Sequence, residues 1–139
     1  MLEFKSKSKK TDINVPLKFV SNILKNRSIA FIISDFISQD YSNSLKIFSS
    51  RHDVTGIRIY DKTEEIIPNL GVIDINDNET GKRTTVNTSS KKIRRKYNEY
   101  YNSKRREFVD YFKRSGSGII ECNTNDDYQK KLLKYFKSR

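Results

Sequence analysis

Asp35 is the residue with the clearest chemical opportunity. It stands in Ser34-Asp35-Phe36, directly after the wholly apolar, mostly β-branched run Ile29–Ile33. A short run of that kind predicts a strand buried on both faces, as in a parallel sheet. Ligand sites in open α/β sheets lie at the carboxyl ends of such strands. A carboxylate there suits a hard cation or a general base. The competing reading is a helix cap or a plain loop carboxylate. His52 is the sole histidine. Catalysis by it needs a nucleophile or carboxylate partner that sequence cannot place, so a polar residue at a helix end is the plainer reading. Cys122, the sole cysteine, reads as a small residue near a strand end. The stretch Asp74–Glu79 has some likeness to a calcium loop. An EF-hand needs Gly at its sixth place and Glu at its twelfth, where this chain has Glu79 and Thr85, so a hairpin turn is expected instead. No Walker loop, G-x-G-x-x-G or zinc-ligand spacing is present. With no catalytic constellation in view, a non-enzymatic role is expected.

A second opportunity is electrostatic. The 139 residues carry 28 Lys and Arg against 17 acids, a formal charge of +11. Between Lys82 and Arg114 lie twelve Lys or Arg and three acids, +9 of that total. Lys91, Lys92, Arg94, Arg95, Lys96, Lys104, Arg105 and Arg106 are the candidates for nucleic-acid or anion binding, with interleaved tyrosines available to stack on bases. The alternative is a solvated helix face above an aromatic core stripe, and the helical spacing favours that alternative. One cysteine allows no intrachain disulfide, which points to a reducing cytoplasm. Neither an apolar signal core nor a run near the ~20 apolar residues of a membrane span is found.

The elements that must position these residues follow from periodicity. Thr11-Asp12 offers a cap before Val15, Pro16, Leu17, Val20, Ile23 and Leu24, a helix expected to end near Asn26-Arg27. After the Ile29–Ile33 strand, Tyr41–Arg51 reads as a helix and Val54–Tyr60 as a strand. Val72–Val86 reads as a hairpin turning at Asn76–Gly81. Lys91–Arg114 is a long helix with an aromatic stripe through Tyr97, Tyr100 or Tyr101, Phe108, Tyr111 and Phe112, stopped by Ser115-Gly116. Gly118–Glu121 is a strand. Asn125 is the expected cap of a last helix, with Asp126 and Asp127 in its first turn. Tyr128, Leu132, Leu133, Tyr135 and Phe136 make its expected buried face. Helix–strand alternation implies an α/β fold: an open, mainly parallel, Rossmann-like sheet flanked by helices, with an inserted β-hairpin.

Several motifs in order carry a family resemblance. They are Lys7–Asp12, Arg27 through Ser34-Asp35-Phe36, Arg51-His52-Asp53-Val54, Asp61 with Glu64-Glu65, Pro68-Asn69-Leu70-Gly71, Glu79-Thr80-Gly81 and Asp127-Tyr128. Together they resemble a bacterial von Willebrand factor A-like family, the domain of unknown function numbered 58. Its members are typically encoded beside MoxR-type AAA ATPases. The resemblance implies a partner-binding module, with such an ATPase as the protein partner. It also implies a metal-ion-dependent adhesion site, to which Thr11 and Asp35 are similar in position. The D-x-S-x-S loop of that site has no counterpart here, so the site is expected to be incomplete. No cofactor is expected for this chain alone, and Mg2+ is expected only in a complete domain. Residues 1–139 are accordingly expected to be the C-terminal half of a von Willebrand factor A-like domain. Such a half would leave Ile29–Ile33 as an exposed edge through which the chain self-associates.

Overall fold

The computed structural model describes residues 12–76 and 83–138. Its elements are α1 (Asn14–Ile23), β1 (Ile29–Ser34), α2 (Ser42–Ser49), β2 (Asp53–Tyr60), β3 (Val72–Asn76), β4 (Arg83–Asn87), α3 (Lys91–Arg114), β5 (Gly118–Asn123) and α4 (Tyr128–Lys137). The three strands β1, β2 and β5 form a parallel sheet in the order β1-β2-β5. Ile29 stands opposite Asp53, and Thr55 opposite Gly118. This is an α/β arrangement of the Rossmann-like kind expected from the alternation. The hairpin β3–β4 forms a separate antiparallel pair, with Val72 opposite Asn87. Its expected turn lies outside the described residues.

Parity along the strands sorts the core into two layers. Ala30 and Ile32 of β1, Val54 of β2 and Ile119 of β5 turn to one face. There they meet Ile13 and Leu17 of α1 and its approach, Leu45 and Phe48 of α2, and Phe108 and Phe112 of α3. Ile57, Ile120 and Cys122 turn to the other face, under Leu132 and Tyr135 of α4. Gly56 lies where β2 passes under α3. A Cβ there would come within 2.5 Å of Phe112 and 2.8 Å of Phe108, so the close approach of helix to sheet requires glycine.

This layering corrects several expectations. β1 is not buried on both faces: Ile29, Phe31 and Ile33 are 68%, 46% and 65% exposed. Among the described residues, α1, α2 and α3 pack on one face and α4 packs on the other. α4 reaches β1 through Phe136, whose ring meets Phe31 edge-on at 5.9 Å. For the same reason Tyr128, Leu133 and Phe136 are exposed, since nothing described packs outside α4. α1 ends at Ile23, short of Asn26, because Leu24 turns extended. Ile13 stands at its N-cap position, and the preceding Asp12 carboxylate accepts from the Asn14 N–H at 2.9 Å. The last helix is capped by Asp127, which accepts from the Lys130 N–H, and not by Asn125. Asp126 instead accepts from the Asn123 N–H at 2.7 Å and from Lys131. No helix among the described residues is long and apolar enough to cross a membrane.

Candidate functional site at the carboxyl ends of the sheet

Because β1, β2 and β5 are parallel, their carboxyl ends open on one side. The turn after β1 is fixed by its own residues. Phe36 adopts a left-handed backbone with φ 59°, unusual for a bulky side chain and costly by about 1–3 kcal/mol. Burial offsets that cost: its ring stacks on Phe108 at 4.3 Å and meets Phe112 edge-on at 5.3 Å. The Phe36 N–H donates to the Ser34 hydroxyl at 3.1 Å. Asp35 Oδ1 accepts from the Ile37 N–H at 3.1 Å and from the Ser34 hydroxyl at 3.3 Å. The sequence therefore anchors an aromatic in the core and displays the preceding carboxylate at the surface.

Asp35 borders a cleft of about 520 Å³ lined also by Ser34, Ile59, Tyr60, Asp61, Glu64 and Thr124. Asp61 follows β2 directly. Its carboxyl lies below the usual range because it accepts from the Thr63 N–H and hydroxyl, both at 2.8 Å. Thr124 is drawn in by its N–H, which donates to the Tyr60 carbonyl at 2.9 Å. Three carboxylates thus border one cleft in a strongly basic chain. Thr11, the other expected metal ligand, lies outside the described residues. Among the described residues no group of three or more His, Cys, Asp or Glu is placed to hold a metal ion. The donors in view do not by themselves fit a divalent cation.

Between the sheet and α3 lies a network that sequence reasoning missed. Arg58 of β2 is only 2% exposed. Glu121 of β5 accepts from its Nη1 at 3.4 Å. Glu121 also takes a bidentate pair from Arg105 of α3, at 2.8 and 3.0 Å. The Arg58 guanidinium lies 4.7 Å from the Tyr60 ring centre and 5.2 Å from that of Tyr101. Two aromatic faces and half a shared carboxylate stabilise this buried cation. Arg105 holds the Glu121 carboxyl below its ordinary value, with Arg58 adding to the effect. The only sequence signal was an arginine inside the otherwise apolar Gly56–Tyr60 stretch.

The other candidates are distributed as follows. Arg94 donates to the Thr88 carbonyl, Arg95 pairs with Glu99 at 3.5 Å, and Lys104 pairs with Glu107 at 2.8 Å. Lys91, Lys92, Lys96 and Arg106 are exposed and in no ion pair among the described residues. His52 follows α2 but is 4% exposed, with its ring against Phe48 and Nδ1 accepting from the Ser28 N–H at 3.3 Å. Among the described residues its buried Nε2 has no hydrogen-bond partner. Burial pushes the Cys122 thiol up, away from reactive thiolate character.

Residues 1–107 match the model of the family described as "protein of unknown function DUF58". The chain belongs to this family. The matched region of this DUF58 chain contains Asp35, Asp61 and Glu64, while Thr124 lies beyond it. An uncharacterised protein from Mycobacterium avium is 26% identical over 116 residues, 83% of this chain and 68% of that protein. The crystal structure of an aerotolerance-related membrane protein from Bacteroides fragilis is also similar. That likeness has 13% identity and a TM-score of 0.45, and covers 93% of this chain but 60% of that one.

Proposed function

We propose that this DUF58 chain is a non-enzymatic protein-interaction module of the von Willebrand factor A-like kind, working in the cytoplasm with a MoxR-type AAA ATPase. The observation that carries the reading is Asp35, held by hydrogen bonds in the turn at the carboxyl end of β1 and lining one cleft with Asp61 and Glu64. Carboxylates, hydroxyls and the aliphatic side of Ile59 suit a basic protein surface. The resemblance offers Mg2+ only Asp35 and Thr11, too few oxygen ligands for tight binding.

The test is binding of a MoxR-type ATPase to the immobilised chain, with and without Mg2+. Asp35→Ala and Asp61→Ala are each expected to weaken capture by about tenfold, the range of a lost charged contact. Capture unchanged by both substitutions, or no capture at all, rejects the cleft as the contact.

A second reading, non-specific nucleic-acid or anion binding, is favoured by the exposed Lys91, Lys92, Lys96 and Arg106 of α3. It requires affinity for DNA or RNA that falls steeply with salt and is reduced by Lys92→Glu with Lys96→Glu. The four engaged basic residues leave that face with fewer free charges than the sequence count suggests.

A further inference from the structure

Residues Arg27–Asp35 read R-S-I-A-F-I-I-S-D, a segment that is nearly a chemical palindrome about Phe31. Reversal sets Ala30 against Ile32, Ile29 against Ile33 and Ser28 against Ser34. At the ends it sets Arg27 against Asp35, opposite charges. Both of those end residues are exposed.

The structure makes this segment an edge. Among the described residues β1 pairs only with β2. The Asp53 N–H donates to the Ser28 carbonyl at 2.9 Å. Alternation along a parallel ladder then sends the N–H and C=O of Ala30 and Ile32 toward β2. Those of Ile29, Phe31 and Ile33 point away from the sheet.

We propose that two copies of the chain join these edges antiparallel, about a two-fold axis at Phe31, into one continuous six-stranded sheet. A two-fold pairing must match outward groups with outward groups. Only the register centred on Phe31 engages all three outward residues of both copies. Phe31 faces Phe31, and each Ile29 faces the other copy's Ile33. The same register brings Arg27 of each copy opposite Asp35 of the other, so hydrogen-bond parity and charge select one alignment. The exposed side chains of Ile29, Phe31 and Ile33 then lie side by side across the seam, extending the apolar strip that Phe136 begins to cover. Repulsion between two chains of +11 is screened over roughly 8 Å at physiological salt, while the two Arg27–Asp35 contacts sit within the seam.

The inference does not rest on the partner reading, and its test omits both ATPase and metal. In EDTA, sedimentation or light scattering of the chain at micromolar to submillimolar concentration is expected to show a closed dimer. Arg27→Asp and Asp35→Arg are each expected to weaken it by about tenfold or more, and the double variant to restore it. In a Cys122→Ser background, Phe31→Cys copies should cross-link to one another. Ile29→Cys copies should link to Ile33→Cys copies and not to themselves. Both charged positions are exposed, and a circular-dichroism melt checks that the reversals fold; if one does not, the cross-linking pattern decides. A monomer throughout, an open-ended polymer, single reversals without effect, or links between Ile29→Cys copies overturn the proposal.

Discussion

Arg58 carries a full charge inside the molecule, and the residues around it show how that is sustained. Glu121 supplies the countercharge, and Arg105 grips the same carboxylate from the outer side. Removing that carboxylate leaves two guanidinium groups facing one another with Arg58 sealed from water. Glu121→Gln is expected to destabilise the fold by about 1.5–3 kcal/mol, the range for a hydrogen bond to a charged group. The pH dependence has a definite sign. In the folded chain the Glu121 carboxyl lies below its usual value near 4.5. A depressed carboxyl contributes stability that is complete above the unfolded value and is lost as pH falls through the folded one. Urea midpoints of the two proteins should thus differ by a constant amount above about pH 5 and converge in more acid solution. A gap that persists unchanged to pH 3 would show that packing, and not charge, sets the effect. Apart from an arginine inside an apolar stretch, the sequence carried no sign of this network. Arg58 and Glu121 lie 63 residues apart, and nothing local to either names the other.

At the scale of elements, legibility followed how much each signal depends on neighbours. α3 was read to its ends because its aromatic spacing and the Ser115-Gly116 stop are local. The parallel pairing of β1 with β2 followed from helix–strand alternation. The exposed face of β1 did not, because an all-apolar run looks the same whether one face or two are covered. The cleft was half legible. Asp35 announced itself by following a strand, whereas Thr124 joins only because β5 lies beside β2. Gly56 illustrates the same dependence: nothing around it in sequence marks it as a contact point, yet α3 rests on it. Gly56→Ala drives a methyl into the fully buried Phe108 and Phe112 rings, which have no room to retreat. We expect a loss of about 1–3 kcal/mol, as for overpacked cores. Gly116→Ala meets no atom but must hold a positive φ of 68°, and should cost about 1 kcal/mol. Denaturant midpoints of the two variants should rank in that order. A Gly56→Ala protein as stable as the parent would mean that α3 lifts from the sheet more easily than its packing implies.

For the molecule as a whole, charge is unevenly placed. Basic residues crowd α3, and carboxylates border the cleft at the strand ends. Five ion pairs are described, and most of their members are partly or largely exposed. Exposed pairs contribute between nothing and about 1 kcal/mol each, and salt weakens them. Against them stands the self-repulsion of a net +11, which favours expansion and is also weakened by salt. The two effects oppose one another, so the sign of the salt response reports which is larger. Ion pairs act over a few ångströms and are only partly screened at ordinary salt. Repulsion acts across the whole chain, where the Debye length falls from about 30 Å at 0.01 M to about 8 Å at 0.15 M. Long-range repulsion therefore loses more than the pairs do. Raising sodium chloride across that range is expected to lift the melting temperature by roughly 2–5 °C, equivalent to about 1 kcal/mol for a chain of this size. Calorimetry at a concentration dilute enough to keep the chain monomeric isolates the effect from association. A melting temperature that falls with salt would place the balance with the ion pairs, and the Arg58–Glu121–Arg105 network would then be the first place to look for it.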